Sequence, residues 1–208
     1  MKNLVLGVLF AFGMLTEAYA SNGFMEAENE EGSSTIYAGD ERSLADEAKM
    51  ALKDYSKKGF IFDQTPLTQE DLELIGARHD LETLSVVGCG LRGDDLNHFK
   101  ALGSLQQFNI SHNQLTVEDL RHLNLGNLSV FHCWGIPVED RGIKALLKSV
   151  PNVRELNISA CHLSDNSLEY LCMLPNLQKV FLKENNFSRG ALTRFREKAR
   201  EQQIEVVL

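Results

Sequence analysis

One pattern constrains this chain above all others: from Lys57 onward, apolar residues recur with a period close to 24. Aligned segments begin at Lys57, Leu81, Leu105, Leu128, Val153, Leu177 and Glu201, in steps of 24, 24, 23, 25, 24 and 24. Position four of each segment is Phe60, Leu84, Phe108, Phe131, Leu156, Val180 and Ile204. Position six is Phe62, Val86, Ile110, Cys133, Ile158, Leu182 and Val206. Positions four and six alternate at strand spacing, which predicts a short strand with one face in the core. Positions sixteen and nineteen, such as Leu96 and Phe99 or Ile143 and Leu146, lie three apart, which is helical spacing. Capping residues precede them, Thr68 with Asp71 and Thr116 with Asp119 among them. One strand–turn–helix unit of this size cannot bury both of its apolar edges, whereas a stack of such units can.

Position nine adds chemistry to the pattern. It reads Thr65, Cys89, Asn113, Ile136, Cys161 and Asn185, and position eleven reads Leu67, Leu91, Leu115, Val138, Leu163 and Phe187. The segments Leu81-Glu82-Thr83-Leu84-Ser85-Val86-Val87-Gly88-Cys89-Gly90-Leu91 and Leu105-Gln106-Gln107-Phe108-Asn109-Ile110-Ser111-His112-Asn113-Gln114-Leu115 show both features together. This resembles the leucine-rich repeat family, and in particular its cysteine-containing and exported bacterial members. The resemblance covers about residues 57–208. It implies an α/β, right-handed solenoid with a parallel sheet on the concave face and helices on the convex face. It also implies that the Asn or Cys at position nine bonds backbone within the turn. Ile136 cannot do so, and with Pro137 it predicts an irregular turn in the fourth repeat.

The first 56 residues divide differently. Residues 1–20 read as a signal peptide: Lys2, then the apolar run from Leu4 to Leu15, then Ala18-Tyr19-Ala20 as the small-x-small cleavage site. That places the chain outside the cytoplasm, in the periplasm or medium, or in a host cell if the source is a pathogen. The apolar run is too short to span a bilayer, which takes about 20 residues. Residues 21–41 hold six acids and no base and lack a hydrophobic period, so they read as a flexible arm. Residues 42–58 read as a capping helix with Leu44, Ala48, Ala51, Leu52 and Tyr55 near one face, stopped at Gly59. The repeat domain then occupies 59–208. Net charge is −8, and with no basic field to meet phosphates, nucleic acid is a poor partner.

With positions four and six inward, positions three, five and seven face outward on the concave sheet. The candidate contact residues there are Val130, His132 and Trp134 on one repeat, Asn109 and Asn157 on its neighbours, and Phe181 beyond. Aromatic anchors among neutral polar side chains suit a protein partner. Trp134, the only tryptophan, is central; the competing reading folds it back over Gly135 to fill the irregular turn. No catalytic motif, phosphate loop or zinc spacing is present, and neither a metal nor any other cofactor is expected. The six histidines read as surface residues and the four cysteines as small buried hydrophobes, Cys133 and Cys161 being the one pair that could approach. Asn109, Asn127, Asn157 and Asn186 each begin an N-x-Ser sequence, taken as coincidence in a bacterial-looking chain. The function expected is an exported, monomeric recognition module that binds a protein, as a secreted effector or inhibitor. A structural or surface-attached role stands second, and a hydrolase using surface histidines third.

Overall fold

Inward-facing residues of successive repeats set the strand register. The computed structural model describes residues 17–21, 24–28, 34–39, 46–120, 123 and 126–208. Among these residues, ten strands form one sheet in chain order: β1 (Glu17–Ser21), β2 (Phe24–Glu28), β3 (Ser34–Gly39), β4 (Lys57–Asp63), β5 (Thr83–Val87), β6 (Gln107–Asn109), β7 (Val130–His132), β8 (Glu155–Asn157), β9 (Lys179–Phe181) and β10 (Glu205–Val207). Every neighbouring pair from β3 to β10 is parallel. Phe60, Leu84, Phe108, Phe131, Leu156 and Val180 pair across one line, all without exposed surface. The connecting layer holds α1 (Asp46–Leu52), α2 (Gln69–Gly76), a 3-10 helix (Gly93–Ala101), α3 (Val117–Leu120), α4 (Glu139–Ser149), α5 (Leu168–Leu171) and α6 (Arg189–Glu201). The sheet and these helices enclose one continuous hydrophobic core from Ile36 to Ile204.

Position nine works as the resemblance implied. Asn113 Nδ2 donates to Val86 O of the preceding repeat (2.7 Å) and to Ile110 O (2.8 Å), while its Oδ1 accepts from Leu91 N (3.0 Å). Asn185 repeats this with Ile158 O, Leu182 O and the amides of Cys161 and Leu163. The thiols of Cys89 and Cys161 reach Phe62 O and Cys133 O at 3.5 and 3.3 Å. Ile136 is instead buried, and Glu139, with φ 55°, donates its amide to Cys161 O. Position eight adopts left-handed backbone in all six turns, although four of those residues are Gln64, His112, Ala160 and Glu184.

Three expectations are corrected. The stretch 21–41 is not a structureless arm, since β2 and β3 lie within it. The run Ser34-Thr35-Ile36-Tyr37 is a strand signal that the surrounding acids obscured; Ile36 reaches the core and β3 satisfies the edge of β4. The capping helix is shorter than 42–58: it ends at Leu52, and Lys57, Lys58 and Gly59 belong to β4. Finally, Val180 pairs with Val206, two residues beyond the expected Ile204. Ile204 and Gln203 are consumed in ending α6: Gln203 is left-handed (φ 60°), and the amides of Ile204 and Gln203 bond Ala199 O and Arg200 O. An even shift keeps Ile204 on the core side. The expected signal peptide lies outside the described residues except for Glu17–Ala20, which are part of β1.

Arg78 locks the first repeat to α1. It is 1% exposed, yet its guanidinium is fully engaged. Nε donates to Asp80 Oδ1 (2.9 Å), Nη1 to Leu52 O (2.8 Å) and Nη2 to Lys57 O. Its cation stacks on Tyr55 at 4.5 Å, which explains why Tyr55 stays outside the core.

Candidate protein-binding face

Three rows of side chains stand on the sheet face opposite the core. The position-three row runs Thr83, Gln107, Val130, Glu155, Lys179 and Glu205. The position-five row runs Ile61, Ser85, Asn109, His132, Asn157, Phe181 and Val207. Val87, Ser111, Trp134, Ser159 and Lys183 form the third row at the strands' C-terminal rim.

The face is not uniform. Its N-terminal half is mostly closed: Ile61 and Ser85 have no exposed surface, Thr83 and Asn109 are nearly as buried, and only Val87 and Gln107 remain half-buried. The C-terminal half stays accessible at Val130, Trp134, Asn157, Phe181, Lys183 and Glu205. This narrows the candidate surface to the strands from β7 onward.

Trp134 is 36% exposed and does not enter the core. Its amide donates to Ser111 Oγ (3.0 Å), its carbonyl accepts from His112 N (2.9 Å), and its ring meets the His112 ring edge-on at 4.4 Å. The side chain is therefore propped by the preceding repeat while keeping an outer face. Gly135 makes that packing possible: its φ is 76°, and a Cβ there would lie 3.0 Å from His112 Nδ1.

His132 is more enclosed than the sequence suggested, at 5% exposure. Its Nε2 bonds Glu155 Oε1 at 3.0 Å, and its ring meets Phe181 across β8 at 6.1 Å in an edge-on arrangement. Lys179 Nζ lies 5.2 Å above the Phe181 ring and 3.4 Å from Glu205 Oε1. Sequence reading named His132 and Phe181 but not this coupling, because the shifted register of β10 decides where Glu205 stands. Asn109 and Asn157 turn back on themselves: Oδ1 of each accepts from the amide two residues on, Ser111 (3.0 Å) and Ser159 (3.1 Å). Two of the four N-x-Ser sequences are thus side-chain turns closing the strand ends.

Burial pushes the Cys89 thiol up to about 12, and Cys133, beside Cys161 and enclosed by the core, is also raised. Among the described residues no group of three or more His, Cys, Asp and Glu side chains is arranged to hold a metal. Among them, too, no helix is long and apolar enough to cross a membrane.

No protein-family model and no curated protein matches the sequence. The fold does have a known counterpart. The chain superposes on the crystal structure of an internalin, inlF, from Listeria monocytogenes with a TM-score of 0.56 at 18% identity. The match takes in 73% of this chain and 41% of the internalin, so the chain spans less than half of that protein's length. Together with the parallel sheet and its 24-residue period, this defines the fold as an α/β leucine-rich repeat solenoid.

Proposed function

We propose that the chain is an exported, non-enzymatic recognition module that binds a protein through the C-terminal half of its concave sheet. Trp134 and Phe181 act as anchors, Val130 and Asn157 as surrounding contacts, and His132 as the buttress that orients Phe181. The observation that carries the reading is the contrast along the sheet: one half of the face is mostly closed, while the other presents a propped, partly exposed tryptophan and a coupled His–Phe pair. Asn109 belongs to the closed half and serves its own turn, so it contributes at the margin. The signal-like sequence of residues 1–20 supports a role outside the cytoplasm, and the solenoid fold supports a binding role because stacked repeats leave one long face unspent on the core.

Affinity capture from the native surroundings with wild type, Trp134→Ala and Phe181→Ala tests this. Both substitutions should abolish capture of a partner that wild type retains, with the thermal midpoint nearly unchanged. Hot-spot truncation costs an interface about 2 kcal/mol or more. Equal capture by all three would remove the face from consideration and favour a surface-attached structural role.

A further inference from the structure

Along the stack, position nine of one repeat lies against position six of the repeat before. Cys89 Sγ reaches Phe62 O at 3.5 Å, Asn113 Nδ2 reaches Val86 O at 2.7 Å, Cys161 Sγ reaches Cys133 O at 3.3 Å and Asn185 Nδ2 reaches Ile158 O at 2.8 Å. These contacts share one geometry but not one chemistry. Cys89 meets a phenylalanine, Asn113 a valine and Asn185 an isoleucine; the junction of the fourth and fifth repeats alone sets cysteine against cysteine. Cys133 and Cys161 have no exposed surface, and both are thiols in this structure. Their side chains also meet. Hydrogen bonding with the Cys161 thiol comes first, and burial second, among the causes that push the Cys133 pKa well above its ordinary value. Cys172 stands apart, half-buried where α5 ends in the helical layer.

We propose that Cys133 and Cys161 form a disulfide site, closed when the chain folds in the presence of a small-molecule disulfide such as oxidised glutathione. The thiolate of one cysteine attacks the glutathione disulfide and displaces one glutathione. The thiolate of the other then attacks the protein sulfur of that mixed disulfide and displaces the second glutathione. The two cysteines give up two electrons and two protons, and the glutathione disulfide takes them up to become two thiols. Both protein sulfurs are sealed in the folded core, where thiolate formation is suppressed. The exchange therefore belongs to the folding chain, before the fourth and fifth repeats close on each other. It needs an oxidising compartment, of the kind that exported chains enter.

The bond joins residues 28 apart, with α4 and β8 inside the loop. Closing such a loop restricts the unfolded chain and so favours the folded one. It also fastens the strand end between His132 and Trp134 to the turn of the next repeat, whether or not that face binds a protein.

Refolding of the full chain tests this. Reduced protein is unfolded in urea, then diluted into a buffer holding oxidised and reduced glutathione, or into reductant alone. Peptide mapping without reduction should recover Cys133 linked to Cys161 after the first route only, with Cys89 and Cys172 alkylated as free thiols. The bonded chain should melt about 5 °C or more above the reduced one. C133A should lose both the linked peptide and the redox-dependent shift. The double variant C89A/C172A, which keeps only the proposed pair, should retain both. Circular dichroism checks that each variant keeps the fold. Four free thiols after refolding in glutathione, a linked peptide that contains Cys89 or Cys172, or a bonded chain no more stable than the reduced one would each overturn the proposal.

Discussion

The first three repeats and the later ones close their turns by different means. In the first half, an aspartate at position fifteen caps its own repeat, and only Asp95 also reaches a neighbouring repeat, its Oδ1 accepting from Gln69 Nε2 of the repeat before (2.9 Å). Asp71 Oδ2 accepts from Thr68 N (2.9 Å) and Thr68 Oγ (2.7 Å), Asp95 Oδ2 from Arg92 N (2.8 Å), and Asp119 Oδ2 from Thr116 N and Oγ (2.7 and 2.8 Å). In the second half, an aspartate at position thirteen reaches into the following repeat. Asp140 accepts from Ser164 N (2.8 Å) and from the Ser164 and Ser167 hydroxyls, and Asp165 accepts from Ser188 N and Oγ at 2.7 and 2.6 Å. Position fifteen of the fourth repeat has no room for an acid: it is Gly142, where a Cβ would fall 1.9 Å from Val117 Cγ2. The first arrangement organises each helix start; the second staples neighbouring repeats together. The N-terminal repeats are tied also at their outer end, by buried Arg78 and by the Lys49 ammonium at 3.3 Å from buried Asp71.

That contrast can be broken by substitution, starting with the tie at the N-terminal end. Arg78→Met should cost the most, about 3–5 kcal/mol in urea denaturation, because it strands the Leu52 and Lys57 carbonyls in a buried site and leaves the half-buried Asp80 with Lys58 alone. A loss below 1 kcal/mol would show that α1 is not locked through this residue.

Next, Asp140→Ala removes bonds between two repeats and should cost about 2 kcal/mol, whereas Asp119→Ala removes a local cap and should cost about 1 kcal/mol. Equal losses would erase the distinction drawn between the two halves.

Acid titration sharpens the same point. The guanidinium of Arg78 holds the Asp80 carboxyl well below the ordinary value of about 3.9. Partial burial pushes Asp140 upward, but the bonds from Ser164, Ser167 and Asn166 outweigh it and leave the carboxyl lowered. A carboxyl lowered in the folded state contributes stability that is complete above its unfolded value and is lost as pH falls through its folded value. Stability measured by urea should therefore be insensitive to these groups from pH 7 to about 5 and fall below about pH 4. Asp140→Asn should make that fall shallower; an unchanged slope would deny Asp140 a part in it.

The smallest effect should come from Trp134→Ala. Its ring is propped from outside the core, so global stability should change by about 1 kcal/mol or less. A loss near 3 kcal/mol would mean that the tryptophan belongs to the core of the fourth repeat and not to a binding face.

Much of this was legible before any coordinate. The recurrence of Phe60, Leu84, Phe108, Phe131, Leu156 and Val180 announces the stack, and Asn113 and Asn185 announce the turns they hold. Other features carry no periodic mark. Gln64, His112, Ala160 and Glu184 show no sign of the left-handed backbone they adopt, because the demand comes from the turn shared by all repeats. The strand around Ile36 is masked by neighbouring acids and exists because β4 offers an edge to pair with. Arg78 reads as an ordinary surface cation until two carbonyls and Asp80 are brought around it.

Hydrophobic spacing along the chain was enough to specify repeat length, core positions and fold, since each unit repeats one local solution to burying apolar surface. It could not specify which part of the free face is open, where the last strand falls in register, or which charges meet. Those depend on groups far apart in sequence, and only the assembled stack brings them within contact distance.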